Sequence, residues 1–77
     1  MSTNIKSKQS LTFVLPTFNE KENILQLLNE IQKCFNSYEL ELIVIDDNSK
    51  DGTSIIVREY AKKNRIVRLI NRIGRSG

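Results

Sequence analysis

Two adjacent carboxylates, Asp46 and Asp47, close the apolar run Leu42-Ile43-Val44-Ile45, and Asp51-Gly52-Thr53 follows after Asn48-Ser49-Lys50. Like charges this close repel one another at the end of a poorly solvated strand, so the pair needs a cation or hydrogen-bond donors. Alternation along an extended chain sends the two side chains to opposite sides. One can therefore face a ligand while the other ties down the loop. A second chemistry-bearing stretch is Pro16-Thr17-Phe18-Asn19-Glu20. It combines a rigid proline, an aromatic face that can stack on a base, and a carboxylate that can accept hydrogen bonds from a ribose or a base edge. Each residue also has a plainer role open to it: a hydrophobic staple for Phe18, a turn-capping pair for Asp46 and Asp47, and helix-dipole stabilisation for Glu20, worth about 0.3–1 kcal/mol.

Positioning these groups requires strands that end at them. Leu11 to Leu15 reads as a short buried strand stopped by Pro16, which has no N–H for a ladder. Asn19 with Glu22 three residues on forms a capping-box pattern. It opens a helix running to about Phe35, with Ile24, Leu27, Leu28, Ile31 and Phe35 on one stripe. Tyr38 to Ile45 is a second strand, half exposed at its start and apolar throughout its far end, as in a strand covered on both faces. Asp51 and Gly52 form a turn or cap for a second helix, Thr53 to about Asn64, with Ile55, Ile56, Tyr60 and Ala61 inward. Ile66 to Ile70 is a third strand, and 71–77 is a loop. This β-α-β-α-β order predicts an α/β fold with a parallel sheet ordered 3-2-1, half of a Rossmann-like nucleotide-binding sheet whose site lies at the carboxyl ends of the strands. The third strand is an open edge that invites self-association.

Composition removes several classes. The chain has 77 residues, no His and one Cys, so His-dependent triads, His-ligated metals and an internal disulfide are excluded. Cys34, within the helical stripe, is expected to be a buried thiol. No run approaches the ~20 apolar residues of a membrane span. The polar start, MSTNIKSKQS, lacks the apolar core of a signal peptide. Residues 1–9 are expected to be a disordered terminus and 10–77 a partial domain, in a cytoplasmic chain. Net charge is +3, but residues 1–57 balance to −3 and residues 58–77 to +6. That asymmetry suits a phosphate-bearing ligand or an anionic surface, and equally a solvated helix face.

Motif comparison narrows the choice. The first βα turn has no G-x-G-x-x-G, and no G-K-[ST] occurs, which disfavours a dinucleotide fingerprint and a P-loop. Asp47-x-Ser49-x-Asp51-Gly52 starts like a calcium loop but has Arg58 where its twelfth-position Glu belongs.

Taken together, P-T-F-N-E from Pro16, D-D-N-S-K-D-G-T from Asp46 and the tail R-I-G-R-S-G closely resemble the amino-terminal half of family 2 glycosyltransferases, in the dolichyl- or polyprenyl-phosphate mannosyltransferase branch. The resemblance covers residues 10–77. It implies a GT-A fold binding a sugar nucleotide, GDP-mannose in this branch, with mannose passed with inversion to a lipid phosphate at the cytoplasmic face of a membrane. By motif, it implies that Pro16, Phe18 and Glu20 line the nucleotide site and that Ile45 and Asp47 contact base and ribose. Asn19, Asp46 and Asp51 would support them. Phe18 stands where the family usually has Tyr, keeping the stacking face and losing a hydroxyl. The family's D-x-D for Mg2+ or Mn2+, its acceptor-side residues and its general base match nothing in this sequence, so the resemblance implies no metal ligand here and a chain without transferase activity alone. Two further readings stay open beside it. One is a small basic α/β module binding nucleic acid or another polyanion, disfavoured because no aromatics interleave with the basic residues. The other is a structural remnant without a ligand.

Overall fold

A computed structural model describes residues 9–72. The elements run β1 (Ser10–Thr17), α1 (Ile24–Cys34), β2 (Glu39–Asp46), α2 (Thr53–Lys63) and β3 (Val67–Asn71). The three strands form one parallel sheet in the order β1-β2-β3, so β2 is central and both β1 and β3 are edges. Register pairs Pro16 with Ile45 and Thr17 with Asp46, then Ile45 with Ile70 and Asp46 with Asn71. All three strands therefore finish at one end.

Right-handed crossovers that step in the same direction across a sheet place both helices on the same face. Ile24, Leu28 and Ile31 of α1, Leu42 and Val44 of β2, Val57 of α2 and Val67 of β3 make the buried core there. Phe13 packs on Phe35 with ring centroids 5.2 Å apart, and Phe35 meets Tyr38 edge-on. Among the described residues nothing covers the opposite face, where Val14 is 56% and Ile70 48% exposed. The far end of β2 is apolar on both sides, but only the side carrying Leu42, Val44 and Asp46 is buried; Ile43 and Ile45 keep partial exposure on the open face.

Several sequence expectations need correction. Pro16 does not end β1, which continues to Thr17; on an edge strand a missing N–H is tolerated. Asn19 does not cap α1. It adopts a left-handed conformation with φ 55°, and the cap position is Asn23, with no side-chain cap bond. The amides of Asn23 and Ile24 instead donate to the Glu20 carbonyl in a tight turn before the helix. Leu27 and Ile55 are exposed, while Val57 takes the buried position on α2. Cys34 is exposed rather than buried, at the last turn of α1. Gly52 has φ 91° and is the cap position of α2, the conformation for which a residue lacking Cβ is needed. The Gln9 carbonyl accepts from the Glu39 amide at 2.8 Å, just ahead of β1. Of the terminus expected to be disordered, 1–9, residues 1–8 lie outside the described residues, as do 73–77 of the expected 71–77 loop, whose first residue, Asn71, instead ends β3.

Candidate functional site at the carboxyl end of the sheet

Alternation separates the two acids as the strand geometry requires. Asp46, the last residue of β2, turns to the helix side and is 1% exposed. Its carboxylate accepts from the Thr17 hydroxyl at 3.2 Å, from the Ser49 amide at 3.0 Å and from the Ser49 hydroxyl. These donors answer the demand of a buried carboxylate without a cation. Asp47 follows on the outer side, its side chain 57% exposed, with Arg72 Nε at 3.7 Å. Arg72, just past β3, is anchored by its own amide, which donates to the Asp46 carbonyl at 2.8 Å. The Asp47 amide donates to the Thr17 carbonyl at 3.0 Å, so the first and second βα loops leave the sheet side by side.

Those loops are stitched together by side chains of the second reaching amides of the first. The Asn19 amide donates to Ser49 Oγ at 2.7 Å, the Glu20 amide to Thr53 Oγ1 at 3.0 Å, and the Lys21 amide to Asp51 Oδ2 at 3.1 Å. Asn19 returns one contact, its Oδ1 accepting from the Lys50 amide at 3.0 Å. Asp51 also accepts from the Thr53 amide at 3.0 Å and from the Thr53 hydroxyl, which makes it a turn former at the entrance of α2 rather than its cap. The Thr53 hydroxyl bond, with the Lys21 and Thr53 amides, holds the Asp51 carboxyl below its ordinary value of 3.8, against desolvation, which raises it. A carboxylate depressed in the folded state contributes stability that is present above the unfolded value and lost as pH falls through the folded one. The Lys21 and Thr53 amide resonances should thus titrate with a midpoint below 3.8. A midpoint at or above that value contradicts the bonding described.

Of the five residues implied as nucleotide contacts, Pro16 and Ile45 are register partners, and Asp47 lies one residue past the end of β2. Phe18, 56% exposed, follows Thr17 directly. Glu20 is turned differently: with Pro16 it lines a concavity of about 230 Å³ between the end of β1 and the start of α1, walled by Leu15, Ile24 and Leu27. That volume is below the ~300–1,000 Å³ typical of ligand pockets, and Phe18, Ile45 and Asp47 do not line it. Asn19, Asp46 and Asp51 all belong to the stitching between the loops. Ser49 and Thr53, equal partners in it, escaped the sequence reading, although a hydroxyl residue three after an aspartate is a turn signal. Arg72 escaped because nothing local ties it to Asp47; only the parallel register of β3 does.

No group of three or more Asp, Glu, Cys or His among the described residues could hold a metal ion. The donor chemistry agrees, since Asp46 and Asp51 are engaged by hydroxyls and amides and Asp47 faces a guanidinium. These residues do not fit a divalent cation. Among the described residues, no helix is long and apolar enough to cross a membrane.

A parallel β-α-β-α-β unit whose central strand delivers an acid pair beside a proline-aromatic turn defines a Rossmann-like α/β class of the GT-A kind. The sequence matches glycosyl transferase family 2 over residues 12–77, and the chain belongs to that family. It is similar to the dolichyl-phosphate beta-glucosyltransferase ALG5C of Trichomonas vaginalis, 37% identical over 67 residues that cover 78% of this chain and 20% of that protein. It is also similar to the dolichol-phosphate mannosyltransferase of Pyrococcus furiosus, 32% identical over 53 residues, 69% of this chain and 15% of that protein. Among solved structures it resembles the mannosyltransferase PcManGT from Pyrobaculum calidifontis in complex with GDP-Man and Mn2+, with a TM-score of 0.71 and 28% identity over 94% of this chain and 21% of that one. The chain thus spans 15% to 22% of the length of such relatives.

Proposed function

We propose that this chain is the donor-binding portion of a glycosyltransferase that transfers a hexose, mannose from GDP-mannose, to a dolichyl or polyprenyl phosphate at the cytoplasmic face of a membrane. The observation that carries this reading is the end of the sheet. Two loops are locked together there, yet Phe18 and the Asp47 carboxylate are left exposed to solvent beside the lock. Aromatic faces stack on bases of any sequence, and an ionised carboxylate makes strong hydrogen bonds to hydroxyl and N–H donors. In this reading Phe18 stacks on the base, Asp47 accepts from the base edge or ribose, and Pro16 and Ile45 supply the apolar floor. Asp47 exchanges its long contact with Arg72 for the ligand's donors. An exposed ion pair of this kind is worth about 0–1 kcal/mol, so the exchange is easy. GDP-mannose is favoured as donor by the PcManGT complex and the dolichol-phosphate mannosyltransferase relative.

A nitrogen–proton correlation titration of the labelled chain with GDP and UDP tests the reading. Saturable shifts should concentrate at residues 17–20 and 45–47, with GDP the stronger ligand. Weak, non-saturating shifts spread over Arg58, Lys62, Lys63, Arg65 and Arg68 would instead identify a general polyanion binder.

A further inference from the structure

We infer that Ser49 is a positioning residue that fixes where a nucleoside meets Phe18 and Asp47. The inference rests on the nucleotide reading given above, in which Phe18 and Asp47 meet the base and ribose, and adds to it the residue that holds their two loops in register. Ser49 is held to the buried Asp46 carboxylate by both its amide and its hydroxyl. The same hydroxyl oxygen accepts from the Asn19 amide at 2.7 Å. A single side chain therefore joins the fixed end of β2 to the residue immediately after Phe18. Asn19 is left-handed there, with φ 55°, a region asparagine enters more readily than other non-glycine residues, and two hydrogen bonds impose it here, of which the Ser49 contact is one. The other bond imposing it is from the Lys50 amide to Asn19 Oδ1, and Lys50 itself follows Ser49. Without the Ser49 hydroxyl the Asn19 amide loses its partner, and the turn that aims Phe18 relaxes.

The stitching also decides which part of a nucleotide this turn serves. Amides ahead of a helix commonly cradle phosphate. Here the three consecutive amides of Asn19, Glu20 and Lys21 already donate to Ser49, Thr53 and Asp51, and those of Asn23 and Ile24 to the Glu20 carbonyl. The turn is consequently built to hold an aromatic ring against a nucleoside and not to bind the diphosphate.

The test compares wild type, Ser49→Ala, Ser49→Cys and Ser49→Thr, each shown to be folded by circular dichroism, in amide exchange and in titrations with GDP and with guanosine. Ser49→Ala should speed exchange at the Asn19 amide by about tenfold and weaken GDP and guanosine by the same factor, about tenfold, the scale of one lost hydrogen bond. Ser49→Thr, which keeps the hydroxyl, should restore both. Ser49→Cys, with a weakly bonding thiol, should fall between and serves if the alanine variant does not fold. Unchanged exchange at Asn19, unchanged affinity in a wild type that does bind, or a loss seen with GDP but not with guanosine would each overturn the positioning role while leaving the nucleotide reading intact. A wild-type chain that binds neither ligand would sink the nucleotide reading itself, and the role of Ser49 with it.

Discussion

Asp46→Ala is expected to lower the unfolding free energy by about 2–4 kcal/mol, and the effect should be thermodynamic before it is functional. The side chain is 1% exposed and receives the Thr17 hydroxyl and both donors of Ser49. Truncation leaves buried donors without an acceptor, at roughly 1–3 kcal/mol for each group that finds no other, and opens a small void. For a chain of this size total stability is on the order of 4–12 kcal/mol. The loss is then a large fraction of the whole, a fall in Tm of roughly 8–32 °C at about 4–8 °C per kcal/mol. Urea unfolding followed by circular dichroism measures it. Asp47→Ala is the internal control. Its carboxylate is mostly exposed and paired only at 3.7 Å, so the same experiment should show a change below about 0.5 kcal/mol. Equal midpoints for Asp46→Ala and wild type would mean that the loop latch does not hold the fold.

That contrast between neighbouring, identical residues shows what the sequence could convey. Alternation predicted that Asp46 and Asp47 would point opposite ways, and the β-α-β-α-β order with its parallel sheet followed from two apolar periods and their breakers. What failed was set by contacts between segments distant in the chain. Asn19 and Glu22 carry a helix-start pattern, but side chains some thirty residues away offered the Asn19 region better partners than the helix did. The resulting left-handed turn is a tertiary effect that no window of sequence contains. Leu27 lies at the flank of the buried stripe of α1, and Ile55 lies on the side of α2 away from Thr53 and Val57, because a three-stranded sheet covers a narrower stripe than the apolar pattern allows. The burial of only one face of β2 was illegible for a related reason. An apolar strand reports that both faces avoid water, not which elements cover them. Ser49, Thr53 and Arg72 were missed because their partners are set by loop packing and by strand register.

Loss of ligand affinity is the second large effect, and Asp47→Ala is where it should appear. The carboxylate stands clear of the latch, so its removal should leave the loops, the Asp46 contacts and the stability in place. What goes are its charge-assisted hydrogen bonds to ligand donors, worth about 1.5–3 kcal/mol, or roughly ten- to a hundredfold in Kd. Phe18→Ala in the same background would then add a further, separate loss, since stacking and hydrogen bonding act on different parts of a nucleoside. The decisive measurement is calorimetric titration of wild type and Asp47→Ala with GDP and UDP, with and without Mn2+. Wild type should bind GDP saturably at one site, and Asp47→Ala at least tenfold more weakly at unchanged stability; GDP bound equally by the two chains, or by neither, would mean that Asp47 is no part of a nucleotide site.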